Sequence, residues 1–383
     1  MFNKKVVTIV LMMLFLIGST FSVQAAGQAD PGNNAKPVCP GPAGPNDTHC
    51  HAWVKPNASL SPVGLTPAQM KAAYGFSTSN TAGAGMTIAI VDAYDLPTAE
   101  NDLNVFSAQF GLPACTTANG CFKKVNQTGG TKYPRYNSGW GLEIALDIEW
   151  AHAIAPGAQI LLVEASSNSF SNLLAAEDYA KTHAQYVSNS WGGSEFSGET
   201  GSTYENHFVQ SGVSFFVSAG DAGLPAEYPS SSRNVISVGG TRLTFSNGTL
   251  QSETGWSSGG GGCSLYESAT SAQSSFGGYA QVNCGGKRAT PDLSLDGDPN
   301  SGAAVYDSSN YQGQSGWYQV GGTSLSSPMV AGRAAVAGAV VNSAYVYGNN
   351  ITFRDITVGN NGAPCLVGFD LCTGRGSWTG ATP

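Results

Sequence analysis

The chain has 383 residues, of which only 11% are charged, with a net charge of -8 at neutral pH and 50 glycines. That acidic balance argues against nucleic acid as a partner, and the glycine content describes a chain rich in loops. A low density of ionised groups also suits acidic surroundings, where fewer carboxylates must be protonated against the fold.

At the N-terminus, Lys4 and Lys5 precede the apolar run "VVTIVLMMLFLIG", and "STFSVQAAGQ" offers small residues around a cleavage point after Ala25. This reads as a secretory signal over 1–25, because the run is shorter than the ~20 residues of a membrane span. The expectation is a secreted, extracellular protein with no membrane partner. Its eight cysteines then read as disulfides, and their spacing points to four local pairs: Cys39 with Cys50, Cys115 with Cys121, Cys263 with Cys284, Cys365 with Cys372. Other pairings stay open on spacing alone. His49 and His51 flank Cys50 in "THCHAW" and read as part of a disulfide loop rather than a metal site.

Residues 26–60 are rich in Pro, Gly and Asn without periodicity and predict an irregular N-terminal segment. From residue 61 to 383 apolar runs alternate with helical patterns. "MTIAIVDAY", "AQILLVEA", "QYVSNSW", "VSFFVSAG" and "RNVISVGG" are short and rich in branched residues, the signature of a parallel sheet buried on both faces. Between the first two, "SGWGLEIALDIEWAHAIAPG" predicts a helix ended by Pro156 and Gly157. The stretch "GWSSGGGGCSLYESATSAQSSFGGYAQVNCGG" has no period and reads as a disulfide-pinned surface loop. Near the end, "SSPMVAGRAAVAGAVVNSA" is nearly all apolar and predicts a buried helix.

Ser324, in "VGGTSLSSPMVAG", stands just before that helix. Free N–H groups and the helix dipole there would favour a developing oxyanion, and Gly321 and Gly322 would let a substrate backbone approach. A simple Ser N-cap is the plainer reading of the local pattern. A nucleophilic serine needs a base, and none of the five histidines lies in a motif that would supply one. The helix in the middle offers carboxyls instead. Glu143 and Asp147 are four apart and so share a face; buried together they would share a proton and be driven apart in pKa. Asp221 follows a strand in "SAGDAG", at a strand end where open α/β sheets place their chemistry.

The ordered set "GLEIALD", "SNSWGG", "SAGDAG" and "GGTSLSSP" resembles the sedolisins, the serine-carboxyl peptidases, from about residue 61 onward. The resemblance implies a subtilisin-like three-layer α/β domain: a central, mostly parallel sheet with helices on both faces. It implies protein or peptide substrates and a monomer. It also implies that Ser324 is the nucleophile, Glu143 the general base, Asp147 its orienting partner, and Asp221 an oxyanion donor beside the Ser324 N–H. Ser188, Ser190, Trp191 and Gly192 fall in a segment that would pair with substrate. "FRDITVGNNG" and "CLVGFDLCTGRG" resemble the family's site for one structural Ca²⁺, with the Asp355 and Asp370 carboxylates and the Ile356 and Gly368 carbonyls as ligands. Leu366 stands where the family commonly has a glycine.

An Asp donates to an oxyanion only when protonated, so activity is expected to fall as pH rises toward neutral. The family usually carries a large prodomain. The roughly 35 to 55 residues between signal and first helix are too few for one. Two other readings remain at this point: a Ser-His-Asp peptidase using Asp92 and His152, and an inactive binding protein on the same scaffold.

Overall fold

The five apolar runs form the strands Thr87–Ala93, Gln159–Ala165, Tyr186–Asn189, Ser214–Ser218 and Ile236–Ser246 in a computed structural model that describes residues 34–380 apart from Pro42 and Pro45. The signal expected over 1–25 lies outside the described residues. Among these, no helix is long and apolar enough to cross a membrane.

Those strands are parallel neighbours in a ten-stranded sheet. Phe122–Asn126 extends it in parallel at one edge. Leu293–Asp296 and Ser377–Thr379 continue the parallel run on the other side, where antiparallel Thr352–Arg354 ends it. Consecutive residues Ile88, Ala89, Ile90 and Val91 are all fully buried. Both faces of the sheet are therefore covered, which explains why these strands read as continuous apolar runs rather than as an alternation.

The helix Ser138–Ile154 starts on Asn137, whose side chain accepts from the Gly139 and Trp140 N–H groups at 3.0 and 3.1 Å. It ends two residues before Pro156, in keeping with the conformation a proline imposes on its predecessor. Every residue from Trp140 to Ile154 is buried, because the helix lies between the helix Thr323–Ala337 and the hairpin Ala303–Tyr311/Gln314–Gly321. The Glu143–Asp147 pair is thus in the interior. The helix Thr323–Ala337 is buried from Thr323 to Ala335 and packs against Tyr186–Asn189 and Ser214–Ser218. Helix Phe170–Ala180 packs on Thr87–Ala93 and Gln159–Ala165.

All four expected disulfides are formed. Two readings need correction. The stretch expected to be an irregular surface loop carries the strand Gly262–Ser268, antiparallel to Lys287–Thr290, with Cys263–Cys284 closing the excursion. The N-terminal segment expected to be irregular holds short strands. Lys36–Pro37 pairs with Trp53–Val54, which pairs with Gly321 and Val320, while His49–Cys50 pairs with Trp191–Ser194. Its order comes from partners far along the chain, so no local period announces it.

Candidate active site

The hairpin strand Gln314–Gly321 runs directly into the helix that carries Ser324. Gly322 makes the turn at φ 104°, and a Cβ there would lie 2.0 Å from the His51 carbonyl oxygen and 2.8 Å from Asp221 Oδ2. Only glycine fits that conformation and that crowding. Ser324 is the second residue of its helix, so its N–H has no intrahelical partner. Four residues on, Pro328 lacks the N–H that would bond the Ser324 carbonyl; that carbonyl accepts from Ser190 Oγ at 3.4 Å instead. The free Ser324 N–H donates to the His51 carbonyl at 3.0 Å.

Around the serine the carboxyls of Glu143, Asp147, Asp92 and Asp221 gather, each buried. Glu143 is held well above the ordinary carboxylate range by burial and then by Asp147 and Asp92, while the Ser324 hydroxyl pulls it back. Burial, with Asp92 adding, also raises Asp147 well above its usual range, against the pull of the Ser190 hydroxyl. Asp92 is pushed up to about 8 by burial. These three cannot all be ionised together; their carboxyl oxygens are buried without hydrogen-bond partners, and Ser324 Oγ donates to the Ser190 carbonyl at 3.4 Å.

Asp221 is anchored at one oxygen only: Oδ1 accepts from the Thr323 N–H at 2.8 Å and lies 2.9 Å from Thr323 Oγ1. Oδ2 is buried without a hydrogen-bond partner, beside the same point near Gly322 as the His51 carbonyl. Burial lifts Asp221 to about 7 even though His51 and Thr323 pull it down. Below that pH, Oδ2 carries a proton and can donate.

Of the residues expected to meet substrate, three line the cleft. The Ser190 carbonyl accepts from the His51 N–H at 3.1 Å, Trp191 pairs with Cys50, and Gly192 pairs with His49. Ser188 does not line it: its hydroxyl bonds Ser327 at 2.9 Å inside the layer between sheet and helix. It lies within the central sheet, before the chain turns out into the cleft strand.

His152 lies nine residues beyond Glu143, about 13 Å along the helix axis. Its Nε2 is 2.9 Å from the Pro113 carbonyl oxygen, and burial lowers it to about 4. It is bonded away from the serine, which removes the Asp92–His152 reading. His51, with His49 beside it, does reach the cleft, but the His51 nitrogens lie 2.6 Å from Ser218 Oγ and 3.0 Å from Glu227 Oε2. It fills a side pocket and is no base for Ser324. The composition of "THCHAW" gave no sign of this; only the facing strand 191–194 could have suggested it.

At the C-terminal end, Asp355 and Asp370 converge on one short stretch. Asp355 Oδ2 accepts from the Gly368 N–H at 2.9 Å and Asp370 Oδ2 from the Leu366 N–H at 2.7 Å. Asp370 is buried and raised by that burial. Asp370 Oδ1 also accepts from the Cys372 and Thr373 N–H groups at 3.0 and 2.7 Å, so backbone donors engage both carboxylates, whose oxygens are the ligand type a hard cation takes. Leu366, however, turns its amide rather than its carbonyl toward Asp370.

Fold and site together define a subtilisin-like domain in which carboxyls surround the serine at the head of its helix. The model of the subtilase family matches residues 141–360. The chain is 30% identical over 362 residues to kumamolisin of Bacillus sp. (strain MN-32), covering 83% of this chain and 63% of that protein. It is likewise 30% identical over 368 residues to sedolisin of Pseudomonas sp. (strain 101), covering 82% and 60%. The chain thus spans less than two thirds of the length of these relatives. A solved structure of Pseudomonas sedolisin, a serine-carboxyl proteinase complexed with two molecules of pseudo-iodotyrostatin, superposes with a TM-score of 0.70 at 28% identity, covering 83% of this chain and 96% of that one. Sphericase, at 20% identity and a TM-score of 0.53, shares the fold. The chain belongs to the sedolisin family within the subtilases.

Proposed function

We propose that this protein is a secreted, acid-acting serine-carboxyl peptidase that hydrolyses peptide bonds through an acyl-enzyme on Ser324. The observation that carries this reading is the peptide carbonyl of His51 accepting from the Ser324 N–H at 3.0 Å directly after the strand His49–Cys50, which pairs with Trp191–Ser194, with the carboxyls of Glu143 and Asp221 buried alongside.

In this mechanism Ser324 Oγ attacks the substrate carbonyl carbon while Glu143 takes its proton. A carboxylate whose pKa is raised is a stronger base than a free one, and Asp147 holds it in place by sharing a proton. The oxyanion is met by the Ser324 N–H and by protonated Asp221 Oδ2. Glu143 then passes its proton to the leaving amine, and the acyl-enzyme remains as an ester. A water activated by the same Glu143 hydrolyses that ester and restores the serine. Because Asp221 must be protonated, turnover falls as pH rises through about 7.

One Ca²⁺ held by the Asp355 and Asp370 carboxylates and the Ile356 and Gly368 carbonyls would tie the C-terminal loop together. It would supply charge balance to the two acids and no chemistry at Ser324. The test of the whole reading is a digest of a mixed peptide library by wild type and Ser324→Ala from pH 3 to 8. Ser324-dependent cleavage that is best at acid pH is expected. Best activity at pH 8, or cleavage that survives in Ser324→Ala, would overturn it.

A further inference from the structure

The cleft is filled by the chain's own residues 49–54 in the manner of a bound peptide. On one side of Ser324, the segment forms an antiparallel strand. His49 pairs with Gly192, Cys50 pairs with Trp191, and the His51 N–H donates to Ser190 O at 3.1 Å. On the other, Trp53 and Val54 pair with Gly321 and Val320. Between them the His51 carbonyl sits on the Ser324 N–H, so the His51–Ala52 peptide bond lies at the serine and the His51 side chain occupies the pocket that precedes the scissile bond.

That pocket is shaped around an imidazole. Ser218 Oγ lies 2.6 Å from Nδ1 and Glu227 Oε2 lies 3.0 Å from Nε2, so both ring nitrogens are engaged. Its walls are glycines: a Cβ on Gly192 would stand 2.8 Å from His51 Cε1 and 3.2 Å from Glu227 Oε2, and one on Gly220 would stand 3.0 Å from the Glu227 carboxyl. The His51 side chain is fully enclosed. Around it stand Glu227 from the strand Glu227–Tyr228, Asp221 from the loop after Ser214–Ser218, and His49 from its own segment.

We propose that Ser218 and Glu227 make this pocket selective for a histidine side chain before the scissile bond, and that the chain's own His51–Ala52 bond is a substrate. The proposal rests on the peptidase reading above. Burial pushes Glu227 up, but the charge and hydrogen bond of His51, with His49 adding, hold it below the usual carboxylate range. Burial pushes His51 down, and Glu227, with Asp221 and Ser218 adding, more than reverses it. The pocket therefore favours an imidazolium on a carboxylate, and an apolar side chain would leave that buried charge without its partner. At acid pH a peptide histidine arrives already protonated.

Cleavage follows the same steps. Ser324 Oγ bonds to the His51 carbonyl carbon, the bond to Ala52 N breaks, and the proton passes through Glu143 to that nitrogen. Water then releases His51 as a carboxylic acid. Cys39 and Cys50 both precede the broken bond and pair with each other, so no disulfide tethers the fragment to the rest.

The test uses the full chain, as wild type, Ser324→Ala and His51→Leu, incubated at pH 4 to 5 and followed by intact mass and N-terminal sequencing. The wild type is expected to acquire Ala52 as a new N-terminus, Ser324→Ala to stay intact, and His51→Leu to be processed at least tenfold more slowly. The processed enzyme is then given peptides that differ only in having His, Lys, Gln, Leu or Phe before the scissile bond. His is expected to exceed Leu and Phe at least tenfold in kcat/KM, the scale of a charge-assisted hydrogen bond. Glu227→Gln, and the milder Ser218→Ala, should each lower the His-to-Leu ratio. Ser324-dependent cleavage of these peptides without a preference for His, or with the His51–Ala52 bond left intact, overturns the proposal and leaves the peptidase reading standing. The absence of any Ser324-dependent cleavage overturns both.

Discussion

Replacing Asp221 tests whether a carboxylic acid acts as a hydrogen-bond donor. Its Oδ1 is fixed as an acceptor by the Thr323 N–H at 2.8 Å, and a backbone N–H can only donate. An Asn at 221 must therefore place its amide oxygen there and its NH₂ where Oδ2 now lies, beside the carbonyl position. Asp221→Asn keeps a donor that needs no proton, whereas Asp221→Ala removes it. Loss of one such donor costs about 10²–10³ in kcat, or roughly 3–4 kcal/mol. With Asp221 raised to about 7, about 99% of it is protonated at pH 5 and about 9% at pH 8. The Asp221 contribution to the basic limb should thus fall about tenfold per pH unit above 7 and vanish in Asp221→Asn. Steady-state kinetics on a fluorogenic peptide from pH 3 to 9 measure this. The expected results at pH 5 are kcat within about tenfold of wild type for Asn and down about 10²–10³ for Ala. Equal losses in both variants, or an unchanged basic limb in Asp221→Asn, would refute the donor argument.

Glu143→Gln should reduce kcat by about 10²–10⁴-fold by removing the base, while His152→Ala, bonded to Pro113 on the far part of the helix, should leave kcat/KM within about twofold; the same peptide assay reads both. The fold itself should be more stable in acid. Asp92, Glu177 and Asp221 have folded pKa values raised to about 8, 8 and 7 by burial. The native state therefore holds more protons than the unfolded chain between about pH 4 and 8. Their contribution is fully present below the unfolded values and is lost as pH rises through the folded ones. Calorimetry on Ser324→Ala should accordingly give a higher Tm at pH 5 than at pH 8. If Asp355 and Asp370 hold Ca²⁺, a chelator should lower Tm, added Ca²⁺ should restore it, and Asp370→Ala should abolish the response.

The sheet was legible because strands buried on both faces must be apolar throughout, as Ile88 to Val91 are. The carboxyl cluster was legible only in part: a four-residue spacing puts Glu143 and Asp147 on one face of any helix, but a solvated pair fits that spacing equally, and it was Asp221 and the ordered set of motifs that pointed to a buried one. What escaped was non-local. Residues 46–54 have no period of their own because, besides Lys36–Val38 and Gly44 nearby, their backbone partners include Asn168, Ser190–Gly192 and Val320–Gly321, more than a hundred residues away. Ser188 was misplaced for a related reason. Motif proximity carried it into the cleft, whereas the strand leaves the sheet only after Asn189. The hairpin Ala303–Gly321 was not anticipated, although Gln312 and Gly313, both at positive φ, mark its tip.

The strand Trp53–Val54, paired directly to the residues that lead into the nucleophile helix, sets a kinetic condition on every assay of the intact chain. A peptide attached this closely competes from within, at an effective concentration of roughly millimolar or more. A segment whose own affinity for the cleft is about 10 µM would raise the apparent KM of a free substrate roughly a hundredfold. Progress curves of freshly prepared protein should therefore begin with a lag whose length does not depend on enzyme concentration if the segment leaves by a unimolecular step, and shortens with concentration if one molecule frees another.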